Sequence, residues 1–387
     1  MRILVTGGAG FIGSNFVRMA LRELPEAEVL VLDALTYAGS VENFDGGLRD
    51  EPRFSFWYGN VTNADLVHDL VAQCEVVVHF AAESHVARSI YDNSLFFVTD
   101  VLGTQTVANA VAKCSGVRLF IHISTSEVYG TALSEPMDEQ HPLNPLSPYA
   151  SAKAGADRLV YSYCATYGIP AVIVRPFNNY GPYQHLEKVV PRFVCSALAD
   201  EPLTVHGSGR AARDWLHVDD TCRALLEVIR RDGCERRAEP EGAREAGADA
   251  EGDAAPGAAG PAAGGAPTTA SAAGPAAPAC ADGACPVYNL GSGRAVSVQE
   301  IAELVCNMTG RSVSLVTHIG DRPGQVNKHI ADASRFTEAF GWRPQVSFED
   351  GLERTIAWYA ANEPWWRRLE WMKHVPVRTA SGEIEYH

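Results

Sequence analysis

The sequence predicts an α/β fold: a doubly wound, Rossmann-type parallel sheet with a smaller, interleaved C-terminal substrate lobe. Three observations carry this. Short apolar runs alternate with amphipathic stretches of helix length through the first half of the chain. A glycine-rich turn, Gly7-Gly8-Ala9-Gly10-Phe11-Ile12-Gly13, joins the first apolar run to the first helical stretch. An acidic residue, Asp33, closes the second run, about 20 residues on.

Taken in order, Ile3–Thr6, Glu28–Asp33, Phe54–Tyr58, Val76–Ala81, Leu119–Ser124 and Ala171–Val174 read as short buried strands. Gly13–Arg22 and Asn63–Gln73 read as two of the intervening helices. This alternation is the signature of a parallel sheet covered on both faces. Residues 1–176 are therefore expected to form the cofactor domain. From Asn178 the pattern turns irregular, with Pro182, Pro191 and Pro202. Residues 177–231 and 286–375 are expected to form the substrate lobe, with returns to the sheet. Residues 232–285 are dominated by Ala, Gly, Pro and Glu, with almost no large apolar side chain. Such a segment cannot bury enough surface to offset the entropy of ordering, so it reads as a disordered insertion. Pro286-Val287-Tyr288-Asn289 then resumes a strand pattern.

Composition narrows the class of partner. The 387 residues are 46 % hydrophobic and 20 % charged, with 32 Lys+Arg against 47 Asp+Glu and a formal charge of −15. That balance argues against nucleic acid or an anionic membrane as partner, while a few placed cations still suffice for one small anion. No apolar run approaches the roughly 18 residues of a membrane span, and Met1–Thr6 runs directly into a strand, so no signal peptide is expected. Nine cysteines at 74, 114, 164, 195, 222, 234, 280, 285 and 306 follow no disulfide framework. They read as reduced thiols of a cytoplasmic protein. Cys280 and Cys285 lack the further ligands a metal site needs, and no metal is expected.

The glycine spacing has a physical meaning. Gly7 permits the tight turn, Gly10 lets the backbone approach a pyrophosphate, and Gly13 lets the helix pack close to the strand. The helix N-terminus, including Phe11 and Ile12, then faces the anion with unpaired N–H groups. Asp33 suits a ribose hydroxyl, and no arginine follows it, which favours NAD over NADP. Asn60 and Val61, after the third strand, are placed to approach the adenine. The second constellation is Ser147-Pro148-Tyr149-Ala150-Ser151-Ala152-Lys153. Ser147 suits an N-cap and Pro148 the first helical position. Tyr149 and Lys153, four apart, share one helix face, and an ammonium near a phenol favours the phenolate. Thr125, Ser126 and Glu127 end the fifth strand, where ligands of such sheets gather.

With these motifs in place, the chain resembles the extended short-chain dehydrogenase/reductases that act on nucleotide sugars, and among them the dTDP-glucose 4,6-dehydratases. The likeness rests on Asp33–Gly39, His79–Val86, Asn178–Tyr183, Glu187-Lys188, Arg213–Val218, Asp321–Gly324 and Ala361–Trp366. It implies that Thr125, Tyr149 and Lys153 oxidise a sugar C4 hydroxyl with NAD, and that Glu127 removes the C5 proton. Ser126 or a water would assist departure of the C6 hydroxyl. Ser84, Asn179, Lys188, Arg213, Asn289 and Arg322 would hold the nucleotide diphosphate sugar. The resemblance also implies a homodimer formed by helices of the cofactor domain.

Three positions depart from the dehydratase pattern. Ser126 stands where those enzymes have Asp, Ala87 where they usually have Asp, and Gln325 where they usually have His. Thr-Ser-Glu is also the pattern of GDP-mannose dehydratases and of UDP-glucuronate decarboxylases. A decarboxylase or a 4-epimerase therefore stays open beside the dehydratase, as does a non-catalytic NAD-binding protein more remotely.

Overall fold

A computed structural model describes residues 1–45, 47–237, 285–320, 328–373, 376–378 and 383–386. Most of the predicted insertion, and Arg322 and Gln325, lie outside the described residues.

Seven parallel strands form the main sheet: β1 (Arg2–Thr6), β2 (Glu28–Asp33), β3 (Phe54–Tyr58), β4 (Val76–His79), β5 (Leu119–Ile123) and β6 (Ala171–Pro176), joined by a later strand, Val287–Leu290. The smaller lobe is built on β7 (Asn178–Tyr180), β8 (Leu203–His206) and β9 (Ala212–His217). Val287–Leu290 is β10, and β11 (Ala295–Ser297) and β12 (Val316–Ile319) follow it. The main sheet runs β10-β6-β5-β4-β1-β2-β3. The order reverses between β1 and β4, which is where an open parallel sheet leaves a crevice for a ligand. The lobe carries a mixed sheet, β11-β9-β7, and a parallel pair, β12-β8.

The helices are α1 (Phe11–Glu23), α2 (Ala64–Val71), α3 (Val86–Tyr91), α4 (Ser94–Phe96), α5 (Thr104–Lys113), α6 (Pro148–Tyr167), α7 (Val189–Leu198), α8 (Val218–Arg237), α9 (Val298–Met308), α10 (Ser334–Phe340), α11 (Phe348–Ala361) and α12 (Glu363–Arg367). The predicted strands and the two predicted helices appear with ends shifted by at most two residues. One boundary moves further: α8 continues to Arg237, past the expected start of the insertion at 232.

Alternation along the strands explains the two cores. Ile3, Val5, Val29, Val31, Val76 and Val78 point to one face, under α1 and α8. Leu4, Leu30, Leu32, Val77, Phe120 and Ile173 point to the other, under α2, α5 and α6. A sheet buried on both faces takes apolar residues at most positions, and this is why the strands read as near-continuous apolar runs. A third core, including Phe193, Trp215, Ile301 and Leu352, holds the lobe.

Two features of the helical layer escaped the sequence reading. Between α4 and α5 the chain forms a seven-residue π-helix, Phe97–Gly103. The continuous helical stretch Ser94–Lys113 has the length and a mean hydropathy, 1.2, of a membrane span. Its apolarity is partly spent inside the fold, since Val107, Ala108 and Val111 are core residues.

A buried ion pair ties α6 to the sheet. Arg175 of β6 donates from Nε and Nη2 to Asp157 of α6 at 2.8 and 2.9 Å, with side chains 2 % and 0 % exposed. Burial alone would raise the Asp157 carboxyl, but Arg175 and Arg158 hold it well below the usual range. Arg175 also donates to the Tyr129 hydroxyl at 3.0 Å, and Tyr129 donates to Asn289 Oδ1 at 2.7 Å. Removing one partner of a buried pair leaves the other charge uncompensated. Asp157→Ala is expected to lower the unfolding free energy by about 3–5 kcal/mol, measured by urea denaturation. A loss below about 1 kcal/mol, the level of an exposed pair, would show that Arg175 finds other support.

Candidate active site

The loops that leave β1 to β6 at their carboxyl ends, with one side of the lobe, enclose a cavity of about 440 Å³. At its cofactor end lie Gly7, Gly10, Phe11, Ile12, Gly13, Asp33, Asn60 and Val61. Gly7 has φ +70, and a Cβ there would lie 2.6 Å from the Ala81 backbone nitrogen. A Cβ on Gly13 would lie 2.3 Å from the Gly7 carbonyl oxygen. The turn is thus open only to glycine at both positions, and it leaves room for a ligand phosphate beside Gly10. Gly10 is the N-cap of α1 and provides no side-chain cap, so the first N–H groups face the cavity side uncapped.

Asp33 is tied on both oxygens. Oδ2 accepts from Ala9 N–H at 2.9 Å and Oδ1 from Leu35 N–H at 2.8 Å. It therefore shapes the glycine-rich turn while it lines the cavity, and each oxygen keeps a lone pair for a ribose hydroxyl. Asn60 spends Oδ1 on a local turn, accepting from Thr62 N–H and Oγ1 at 2.9 Å.

At the chemical end, Thr125, Glu127, Tyr149 and Lys153 line the same cavity. Thr125 caps the short 3-10 helix Ser126–Tyr129, accepting from Glu127 N–H at 3.2 Å, and hydrogen-bonds the Tyr149 phenol. Ser147 caps α6 by accepting from Ala150 N–H at 3.1 Å, with Pro148 at the first helical position. Lys153 differs from the sequence expectation. Its ammonium is 4 % exposed and donates to the Ile123 carbonyl at 2.7 Å. Burial lowers its pKa, opposed by Asp100 and Asp157. The Tyr149 phenol is raised by burial and then by Asp100 and Glu127, against the Thr125 hydrogen bond. Proximity of Lys153 does not by itself poise the phenol here.

Two expected site residues turn away from the cavity. Ser126 is 1 % exposed and, unlike its neighbours Thr125 and Glu127, is not part of the cavity wall. The reason is the tight 3-10 turn, which directs Ser126 inward. Asn289 is 0 % exposed and lies on β10 inside the fold. Its Oδ1 accepts from Tyr129 and its Nδ2 donates to the Met137 carbonyl at 3.0 Å. The substrate role expected of it gives way to a positioning one: it anchors the turn that carries Glu127. Ser84, Asn179, Lys188 and Arg213 do line the cavity. Lys188 donates to the Ser84 carbonyl. Asn179 has its side chain tied to Thr221 and Phe177.

A group of buried charges at this end went unassigned from sequence. Glu187 accepts from Arg88 Nε at 2.8 Å and from the Tyr37 hydroxyl at 3.1 Å. Burial would raise it, but His85, Lys188, His185 and Arg88 hold it at about 2. Glu83 is raised to about 7 by burial and the Glu187 carboxylate, against Arg88. Asp100, in the π-helix, accepts from Glu83 N–H at 2.7 Å and leaves Oδ2 buried without a partner among the described residues. Both Glu83 and Glu187 sat inside motifs quoted above; their burial had no sequence signal. Ser124 Oγ, Gln184 Oε1 and Thr204 Oγ1 also border the cavity buried and unpartnered among the described residues, as groups awaiting a polar ligand do.

A glycine turn for a dinucleotide beside a Thr-Tyr-Lys group at the sheet switch point defines a Rossmann-type enzyme of dinucleotide chemistry. Comparison with known proteins is specific. Residues 3–237 match the NAD dependent epimerase/dehydratase family, and the chain belongs to that family. It is 40 % identical over 363 residues to the low-salt glycan biosynthesis protein Agl12 of Haloferax volcanii, covering 94 % of this chain and all of that one. It is 37 % identical over 374 residues to a dTDP-glucose 4,6-dehydratase of Streptomyces niveus, covering 96 % of each. The crystal structure of the dTDP-glucose 4,6-dehydratase DesIV of Streptomyces venezuelae, with NAD and TYD bound, superposes with a TM-score of 0.78 at 37 % identity, over 96 % of this chain and all of that one.

Gly39 tests the cofactor end. A Cβ there would meet Asp33 Oδ1 at 2.7 Å. Gly39→Ala is expected to weaken NAD binding about tenfold, roughly 1.4 kcal/mol, by calorimetric titration. Gly116→Ala, where a Cβ meets nothing within 4 Å, is the control and should bind as the parent does. Equal affinity in both variants would remove Asp33 from the cofactor site.

Proposed function

We propose that this enzyme is an NAD-dependent nucleotide-sugar 4,6-dehydratase, converting an NDP-hexose to an NDP-4-keto-6-deoxyhexose and water. The observation that carries the reading is the placement of Glu127 beside the Thr125–Tyr149 pair on one cavity wall. A 4-epimerase exchanges hydride at C4 alone and needs no base for C5. A carboxylate next to the oxidation site suits a reaction that must take the C5 proton.

The cofactor fits the glycine turn, the uncapped N-terminus of α1 and Asp33. Bound there, NAD supplies the acceptor and later the donor of the sugar's hydride. Lys188 and Arg213 suit the diphosphate oxygens. Thr125 orients the C4 oxygen and Tyr149 takes its proton. Lys153, one turn along α6 from Tyr149 and held on the Ile123 carbonyl, fixes the helix that presents the phenol to the end of β5. The C4 ketone acidifies C5–H, Glu127 removes that proton, and the C6 oxygen leaves.

A second reading has its own support. Decarboxylation of a UDP-uronate through the same C4 ketone needs no acid for a C6 hydroxyl, and Ser126, inward in its turn, offers none. Mass spectrometry after incubation with dTDP-glucose, UDP-glucose, UDP-N-acetylglucosamine, GDP-mannose and UDP-glucuronate separates the two. Loss of water from a hexose nucleotide is expected; loss of CO2 from UDP-glucuronate alone would reassign the enzyme. In the same assay run in D2O, Glu127→Gln is expected to abolish C5 deuteration while leaving substrate binding intact. Retained deuteration would remove Glu127 from the C5 step.

We further propose a homodimer through the helical stretch 94–113. Leu95, Phe97, Val98 and Leu102 are exposed there, an apolar patch that a second copy would cover. Leu102→Glu should convert a dimer to a monomer in sedimentation equilibrium, and a monomeric parent would end the idea.

A further inference from the structure

Expelling a hydroxyl from C6 needs a proton on the departing oxygen, and the Thr125–Glu127 turn supplies no group that could give one. Ser126 faces inward, and Glu127 is occupied with the C5 proton. The neighbouring strand end offers a candidate. His79 of β4 stands opposite His122 of β5 in the sheet. The segments that follow, Phe80–Ser84 and Ser124–Glu127, therefore leave side by side, about 4.8 Å apart at the strand ends. All five residues from Phe80 to Ser84 line the cavity.

Glu83 is the carboxyl of that segment. It is 3 % exposed, its N–H is pinned by Asp100 at 2.7 Å, and its side chain makes no hydrogen bond or ion pair among the described residues. The neighbouring cation, Arg88, is committed to Glu187 at 2.8 Å. Tyr37 also donates to Glu187, and Lys188 is turned to the Ser84 carbonyl. Glu83 thus faces an anion, Glu187, and the buried Asp100, and among the described residues the one cation acting on it, Arg88, is paired with Glu187. Such surroundings favour the protonated carboxyl.

We propose that Glu83 is the acid that protonates the departing C6 oxygen, an inference that rests on the dehydratase reading above. Glu127 takes the C5 proton, the C5–H electron pair becomes the C5=C6 bond, and the C6–O bond breaks. The oxygen takes the Glu83 proton and leaves as water. Glu83 is left as a carboxylate. Tyr149 has gained one proton from the C4 hydroxyl, so the cycle closes when one proton passes from Tyr149 back to Glu83. Glu127 returns its own proton to C5.

The test compares Glu83→Gln with the parent on two substrates: the hexose nucleotide the parent dehydrates, and its 6-deoxy-6-fluoro analogue, whose fluoride leaves without strong acid help. Water formation is expected to slow by about 10²–10³-fold, the range for loss of a general acid. Fluoride release should stay within about threefold of the parent, a range that a general-acid loss of this size does not reach. The fall in kcat above about pH 7, where the acid is lost, should vanish in the variant. Equal losses on both substrates would mark Glu83 as structural and overturn the proposal, and so would turnover of the hydroxyl substrate at the parent's rate. If the parent releases no water from any hexose nucleotide, the dehydratase reading itself falls, whatever the variant does.

Discussion

The structure depends on a sheet of seven parallel strands, all but the edge strand β3 buried between helical layers. Backbone groups are satisfied strand to strand, and most side chains on both faces are apolar. Most of the polar chemistry gathers at the carboxyl edge of the sheet, and the polar side chains inside it, such as Arg175 and Asn289, are held by buried partners. Much of the candidate site follows the strands: Gly7 after β1, Asp33 at the end of β2, Asn60 after β3, Glu83 after β4, Thr125 and Glu127 after β5, Asn179 in the lobe's first strand after β6, while α6 brings Tyr149 and Lys153 to the same edge. The apolar layers fix those ends relative to one another, and the site inherits its geometry from them.

Charge inside the cavity is handled by pairing and by proton retention. Glu187 stays ionised because four cationic or ring groups surround it. Glu83, on the segment after β4, lacks such partners, and burial and the Glu187 carboxylate push it up to about 7. Two carboxyls of similar chemistry are pushed apart by their neighbours, which is how one site supplies both an anion and an acid. Lys153 meets burial differently, by donating to a main-chain carbonyl and by facing Asp100 and Asp157.

The buried chain Asp157–Arg175–Tyr129–Asn289–Met137 links α6, β6, the 3-10 turn and β10. It joins the helix that carries Tyr149 to the turn that carries Glu127. Asn289 therefore bears on the site through the turn that it holds.

Local patterns sufficed for what depends on local physics. Apolar runs marked the strands, Ser147-Pro148 marked the start of α6, and the glycine spacing marked a turn that no other residue fits. The family followed from motifs because each motif is a short segment with one steric or hydrogen-bonding requirement. What depends on contacts between distant segments was not legible. The inward turn of Ser126, the enclosure of Asn289 and the attachment of Lys153 to Ile123 are set by packing across 30 to 160 residues of chain. The π-helix and the opposite protonation of Glu83 and Glu187 belong with them. Burial and neighbouring charge decide a side chain's chemistry, and both exist only once the chain has folded.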